Sequence, residues 1–208
     1  EYQSKDRRQD GNPTAGLLFW KSDRTLLTPD LECLTVGNLF AGPATTHLDT
    51  ALPYWSIVPG LVRPRSRGRV HLTGPAADDP VDIDANILSE PADIRAAMRA
   101  VQLCREIGNS TAFRELAKRE VLPGQCREDE LENFVRNAAV SFHHYAGTAK
   151  MGRDEMSVVD GSLKVHGVDR LRIADGSVMP KVTTGNTMAP CVIIGERAAA
   201  MIRKSHGL

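Results

Sequence analysis

Short apolar segments punctuated by Pro and Gly fill the chain from residue 16 to residue 62, and they predict β-strands. Their branched and aromatic side chains suit a pleated, half-buried surface. Two later segments alternate polar and apolar residues, which gives each of them one apolar face. The strand candidates are residues 17–20, 34–36, 54–58, 67–72 and 81–84.

After residue 92 the apolar positions recur every three or four residues, which predicts helices. Asp93 is a candidate N-cap for the first helix, which is expected to end at Gly108-Asn109. A shorter helix is expected over residues 111–117. The next helix, over residues 128–139, carries its apolar face on Leu131, Phe134, Val135 and Ala138.

The last quarter of the chain predicts a hairpin and a closing helix. Residues 158–168 and 171–174 are its two strands, and the helix is expected over residues 191–204, starting near Pro190. Antiparallel-looking strands with segregated helices are typical of the α+β class. The chain has neither the strand–helix alternation of a dinucleotide-binding sheet nor a Gly-x-Gly-x-x-Gly motif.

Charge and composition narrow the range of partners. The chain has 208 residues, enough for one large domain, and its 26 basic and 26 acidic residues balance. This balance argues against a nucleic acid or an anionic membrane surface as a partner. No apolar run is long enough to span a bilayer.

The four cysteines are widely scattered and make no Cys-x-x-Cys pair, so the spacing predicts neither a zinc site nor a redox dithiol. Free thiols suit a reducing compartment such as the cytoplasm.

His144 and Asn186 are the candidate chemistry of the chain. They lie 42 positions apart, each in a loop-like stretch that contains glycine. An imidazole can take a hydroxyl proton, and a carboxamide can hold the oxygen, while a hydride leaves the carbon. This chemistry needs a hydride acceptor, which must be a bound cofactor.

Other readings of these residues stay open at this point. Asn186 is also a candidate turn residue or helix cap, and Asp175-Gly176 a candidate turn. A hydrolase would use Ser141 or Ser177 with His144 and an Asp, but no Gly-x-Ser-x-Gly motif is present. The adjacent His143 and His144 would point to opposite faces of a strand, which argues against a shared metal ion.

Seven motifs in one order give a resemblance to a known family. The chain resembles the carboxy-terminal half of glucose–methanol–choline (GMC) flavoprotein oxidoreductases, in the choline-dehydrogenase-like branch, from about residue 60 to the end. The motifs are residues 66–72, 82–94, 144–152, 159–161, 163–180, 185–187 and 195–197.

The resemblance implies a domain organisation. Residues 1–12 would be a polar arm, residues 13–158 a substrate-binding domain, and residues 159–208 a strand and helix segment that completes an FAD-binding domain. The Rossmann unit that holds most of the FAD would belong to an amino-terminal part that this chain lacks. We therefore expect an apolar face on the last segment, and self-association of the isolated chain into a homo-oligomer.

The resemblance also implies a site. His144 would be the base beside the flavin and Asn186 its partner, with a small alcohol as substrate and flavin N5 as hydride acceptor. Activity would then rise with pH as the imidazole becomes neutral. Many relatives carry Asn where Met188 stands. The implied cofactor contacts are Asp175, Gly176, Asn186, Thr187 and Met188. The alternative function is a non-catalytic binding or assembly domain.

Overall fold

The computed structural model describes residues 14–208. The chain forms two compact units, each made from two stretches of sequence. The first unit runs up to Leu61 and resumes over Ile87–Val140, and the second joins Val62–Asn86 to Ser141–Leu208. The mixture of antiparallel sheets and helices confirms the α+β class.

The expected boundary between residues 158 and 159 lies inside the second unit. The functional division into a substrate-binding domain and an FAD-domain segment therefore stays a prediction. The expected polar arm, residues 1–12, lies outside the described residues.

The first unit contains a three-stranded antiparallel sheet of β1 (Thr14–Trp20), β2 (Leu31–Val36) and β3 (Ser56–Leu61), in that order. The central strand β2 is the most buried, since Leu31 and Cys33 are almost inaccessible to solvent. Pro59 lies in β3 opposite Cys33. Proline has no N–H to donate to a neighbouring strand, and an edge strand such as β3 tolerates this loss.

Helices α1 (Pro91–Gly108) and α2 (Glu128–Ala138) complete the first unit. Their apolar faces meet in a core of six buried side chains, Leu88, Ile94, Met98, Val101, Leu131 and Val135. The prediction that Asp93 caps α1 is wrong. Glu90 holds the N-cap position and Pro91 begins the helix, because proline needs no N–H bond there, which leaves Asp93 buried in the first turn.

The helix predicted over residues 111–117 is reduced to one 3-10 turn, Thr111–Phe113. Phe113 stacks on Trp55 with ring centroids 5.0 Å apart, whereas Leu116 is 63% exposed. The segment therefore has no continuous apolar stripe to bury, and a helix this short depends on such burial.

The second unit begins with a hairpin of β4 (Arg69–Leu72) and β5 (Val81–Asp84) and ends with α3 (Met188–His206). Its core is formed by Val159, Leu163, Val178 and Ala198. Pro190 lies in the first turn of α3, and Gly207 ends the helix with a left-handed φ of 71°.

The predicted hairpin over residues 158–174 is wrong as a pair of regular strands. Only isolated bridges form there, between Val159 and Val165 and between Lys164 and Arg172. Leu163, Gly167 and Arg170 have φ values of 65°, 74° and 62°, and each left-handed residue interrupts an extended strand. None of the helices within residues 14–208 is long and apolar enough to cross a bilayer.

Candidate active site

Three segments of the second unit converge around His144. The first, residues 144–151, lies beside the second, residues 175–178, through a short backbone ladder. Ala149 N–H donates to the carbonyl of Ser177 at 2.9 Å, and Met151 N–H to that of Val178 at 2.8 Å. The third segment is the start of α3.

Gly176 is the point where the three segments approach one another. A Cβ added at this glycine would lie 3.1 Å from the Cys191 sulfur in the first turn of α3 and 3.7 Å from the Tyr145 carbonyl oxygen. The absence of a side chain therefore lets the backbone of residues 175–178 pass close to both neighbours.

His144 is tied to the start of α3. Its Nδ1 lies 3.2 Å from the hydroxyl oxygen of Thr187 and 3.5 Å from the Thr187 backbone nitrogen. His144 is half-buried, Thr187 is 8% exposed, and the Phe142 ring packs edge-on near the imidazole at 6.4 Å. With Nδ1 occupied in this way, Nε2 is the ring atom left for a substrate.

His143 has different surroundings from its neighbour. It is exposed, its φ is 61°, and its backbone N–H donates to the Ser141 hydroxyl at 3.0 Å. A non-glycine residue rarely adopts this left-handed conformation, which interrupts the extended backbone before His144.

Asn186 lies at the entrance to α3. It is exposed, it follows Gly185 with a φ of 107°, and it immediately precedes Thr187. The helix N-cap is Thr187 rather than Asn186, and the Thr187 side chain makes no capping hydrogen bond. The chain thus brings Asn186 next to the residue that contacts His144, and its role as the partner stays a prediction.

Asp175 closes the turn that carries Gly176. Its Oδ1 accepts from the Ser177 hydroxyl at 2.5 Å and from the Ser177 N–H at 2.8 Å. These two bonds, the hydroxyl first, lower the pKa of Asp175 below its ordinary value. The Ser177 hydroxyl is therefore bonded to Asp175, whereas His144 contacts Thr187.

The residues at the start of α3 fit an anionic planar group. The first turn of α3 contains no acidic residue, whereas Arg203, Lys204 and His206 lie in its last turn. The positive end of the helix dipole is therefore not offset by a carboxylate in that turn. Met188, the first helical residue, is 75% exposed. An apolar, accessible helix start beside a glycine backbone would suit the pyrimidine edge of an isoalloxazine ring.

Comparison with known proteins identifies the family of this site. The family model described as GMC oxidoreductase matches residues 64–195, which include all three converging segments up to the first two turns of α3. The chain belongs to the GMC oxidoreductase family. The resemblance found in the sequence motifs is thereby confirmed.

A curated relative and two solved structures support the same family membership. The chain is 42% identical over 151 residues to oxygen-dependent choline dehydrogenase of Escherichia coli (strain SMS-3-5 / SECEC), covering 72% of this chain and 27% of the relative. Pyridoxine 4-oxidase from Mesorbium loti is 28% identical, with a TM-score of 0.84 over 92% of this chain and 38% of that one.

A formate oxidase variant of Aspergillus oryzae RIB40, studied for its FAD modification, is 26% identical with a TM-score of 0.80. That match covers 88% of this chain and 33% of the oxidase. The chain thus spans about a quarter to two fifths of the length of these relatives.

Sequence reasoning missed two contacts of the site. The predicted cofactor contact of Thr187 stays a prediction, and the position of its hydroxyl beside His144 was not foreseen. No role was predicted for Cys191, but its sulfur is the atom nearest to a Cβ added at Gly176. The Gly-Asn-Thr motif marked the position of Thr187, but nothing in the sequence indicates which way that hydroxyl points.

Proposed function

We propose that this chain supplies the catalytic base and part of the flavin site of an FAD-dependent enzyme that oxidises a small alcohol to an aldehyde or ketone. The proposal rests on family membership and on the identity with oxygen-dependent choline dehydrogenase. The single observation that carries it is the anchoring of His144 to Thr187 at the start of α3, beside Gly176.

When bound, FAD would supply the hydride acceptor at its N5 atom. His144 would take the hydroxyl proton on Nε2 in the tautomer that carries the ring proton on Nδ1, where that proton would be donated to the Thr187 hydroxyl 3.2 Å away. In the other tautomer Nδ1 accepts from the Thr187 backbone N–H at 3.5 Å, and Nε2 is already protonated. In the first tautomer the Thr187 hydroxyl would fix both the ring orientation and the position of its proton.

Asn186 would complete the alcohol site as a neutral donor. A carboxamide N–H directed at the alcohol oxygen would hold it while negative charge develops there. Gly185 and Thr187 fix the backbone on either side of Asn186, since the first adopts a left-handed conformation and the second is buried.

The remaining proposed roles belong to cofactor binding. Gly176 would let the backbone of residues 175–178 approach the flavin, and the ionised Asp175 would keep that turn in place. Asn186, Thr187 and Met188 would carry the start of α3 to the pyrimidine edge of the ring. The bulk of the FAD would be held by an amino-terminal domain of the complete protein.

The experiment is reduction of the flavin in the full-length protein by an alcohol without oxygen. The purified protein is expected to carry FAD, and anaerobic choline is expected to bleach its visible absorbance. A panel of short primary and secondary alcohols tests the width of the substrate class. A protein that holds no flavin, or a bound flavin that none of these alcohols reduces, would contradict the proposal.

A further inference from the structure

Two buried cysteines of the first unit lie in direct contact. The sulfurs of Cys33, in β2, and Cys104, in α1, are 3.6 Å apart, although the residues are 71 positions apart in the sequence. Cys33 is 2% exposed and Cys104 is 8% exposed. Leu103, Leu18, Ile57 and Ile107 pack around the pair.

The two thiols play different parts in this hydrogen bond. The Cys104 thiol donates to the Cys33 sulfur, and this hydrogen bond lowers the pKa of Cys33. The same bond, together with burial, raises the pKa of Cys104. Because the thiolate is the reactive form of cysteine, this bond favours Cys33 over Cys104 as the attacking thiol, although burial and the Glu32 carboxylate act to raise the pKa of Cys33.

We propose that Cys33 and Cys104 form a reversible disulfide when the protein meets a hydroperoxide, and that this disulfide covalently links the central strand of the sheet to α1. The site is independent of the flavin chemistry proposed above.

The reaction balances with hydrogen peroxide as the two-electron oxidant. The Cys33 sulfur attacks the O–O bond, which gives a sulfenic acid at Cys33 and releases the other oxygen as water after it takes a proton. The Cys104 sulfur then attacks the sulfenic sulfur, so that the S–S bond forms, the S–O bond breaks and a second water leaves. Two thiol protons and two sulfur electrons end in the two waters.

The fold favours a disulfide between Cys33 and Cys104 over one that involves Cys126 or Cys191. The two sulfurs, now 3.6 Å apart, must come about 1.5 Å closer to form an S–S bond of ~2 Å. The other two thiols lie elsewhere, since Cys126 packs on the core between α1 and α2, and Cys191 belongs to the second unit. Reduction by a dithiol would reverse the link by thiol–disulfide exchange.

Peptide mapping of the native-sequence protein tests the proposal. The folded, fully reduced protein is exposed to hydrogen peroxide, its remaining thiols are blocked with N-ethylmaleimide, and it is digested without reductant. We expect one major cross-linked species that joins the Cys33 and Cys104 peptides and disappears after dithiothreitol. We also expect the thermal midpoint of the oxidised protein to rise by roughly 5 to 15 °C.

Two controls separate contact in the fold from chance oxidation. The same treatment in denaturant should give mixed pairs that include Cys126 and Cys191, and a Cys126→Ser/Cys191→Ser variant should keep the native cross-link. The proposal is overturned if peroxide leaves Cys33 and Cys104 free to react with maleimide after unfolding. It is equally overturned if Cys33 is driven to the sulfinic acid without a cross-link.

Discussion

At the scale of single residues, Thr187 connects the start of α3 to the His144 ring. Its backbone begins α3, while its side chain leaves the helix cap and meets the His144 ring at 3.2 Å. The hydroxyl can therefore be removed without removing a cap. The sequence motif predicts His144 as the base, which stays a prediction, but it could not predict this contact, because the contact joins positions 43 residues apart.

Replacing Thr187 by Val should slow flavin reduction in the full-length enzyme by about 2- to 10-fold, the worth of one neutral hydrogen bond. Valine keeps the branched shape and removes only the hydroxyl. The measurement is the anaerobic reduction rate at saturating alcohol, together with the ¹⁵N chemical shifts of the His144 ring.

Thr187→Ser is the matched control, because serine keeps the hydroxyl, and it should stay within about 2-fold of the native rate. An unchanged ring tautomer and an unchanged rate in Thr187→Val would remove Thr187 from the mechanism.

At the scale of elements, the conformation of residues 158–174 depends on side chains that accept hydrogen bonds from backbone N–H groups. The two predicted strands of residues 158–174 were wrong because apolar alternation cannot reveal left-handed residues such as Leu163. Asp160 organises this loop, since its Oδ1 accepts from the backbone N–H groups of Ser162 at 2.8 Å and Lys164 at 2.9 Å. By contrast, α2 was predicted to within one residue, because its apolar face fits one helical period.

The hydrogen bonds of Asp160 should make the stability of the protein depend on pH in the acid range. The Lys164 N–H is the largest cause that lowers the pKa of Asp160 below its ordinary value of 3.8. Because the folded pKa is depressed, the stabilisation is present above 3.8 and is lost as pH falls through the folded pKa. Asp160→Asn, which has no charge to lose, should therefore have a lower urea midpoint than the native protein at pH 7.

The difference between the two proteins should shrink when the same titration is repeated at pH 3. Asp160→Ala, which also removes the acceptor, should unfold at lower urea than Asp160→Asn at both pH values. A difference between the native protein and Asp160→Asn that does not change with pH would contradict this account.

Close packing at Gly176 gives a second prediction for the elements of the site. In Gly176→Ala the new Cβ would lie 3.1 Å from the Cys191 sulfur, so either the side chain or α3 must shift. We expect a loss of about 1 kcal/mol in the free energy of unfolding, measured by chemical denaturation.

A double-mutant cycle with Cys191→Ala tests the cause of that loss. Removing the sulfur should recover most of the cost of Gly176→Ala. Gly161→Ala, where a Cβ would meet nothing within 4 Å, is the control and should be close to neutral. Additive effects of Gly176→Ala and Cys191→Ala would show that their contact does not set the cost.

At the scale of the whole molecule, each unit draws on distant parts of the chain. The β4–β5 hairpin belongs to the same unit as α3, although more than a hundred residues separate them. Local patterns predicted both elements but could not predict this grouping, because it depends on long-range packing. The family motifs predict this grouping better than hydrophobic periodicity does, because they include residues from both stretches of the second unit.

The exposed face of α3 predicts the behaviour of the isolated chain. Met188, Val192 and Ile193 are 75%, 59% and 60% exposed, an unusual density of apolar surface on one helix. The 208-residue chain should therefore self-associate at micromolar concentration in sedimentation velocity.

A Val192→Lys/Ile193→Lys variant should shift the chain towards monomer, because it places charges on that face. Ser205→Lys, which adds a charge at an exposed position more than three turns along the same helix, should leave self-association unchanged. A monodisperse monomer of the native chain would refute the expectation.

The most direct test of the account is the rate of anaerobic flavin reduction in full-length His144→Gln and His143→Gln, followed by stopped flow. Glutamine keeps a polar side chain but cannot serve as the base. We expect His144→Gln to lose at least about 100-fold in the reduction rate with flavin content unchanged, and His143→Gln to stay within about 3-fold of the native enzyme. Equal rates in the two variants, with flavin bound in both, would contradict the assignment of His144 as the base.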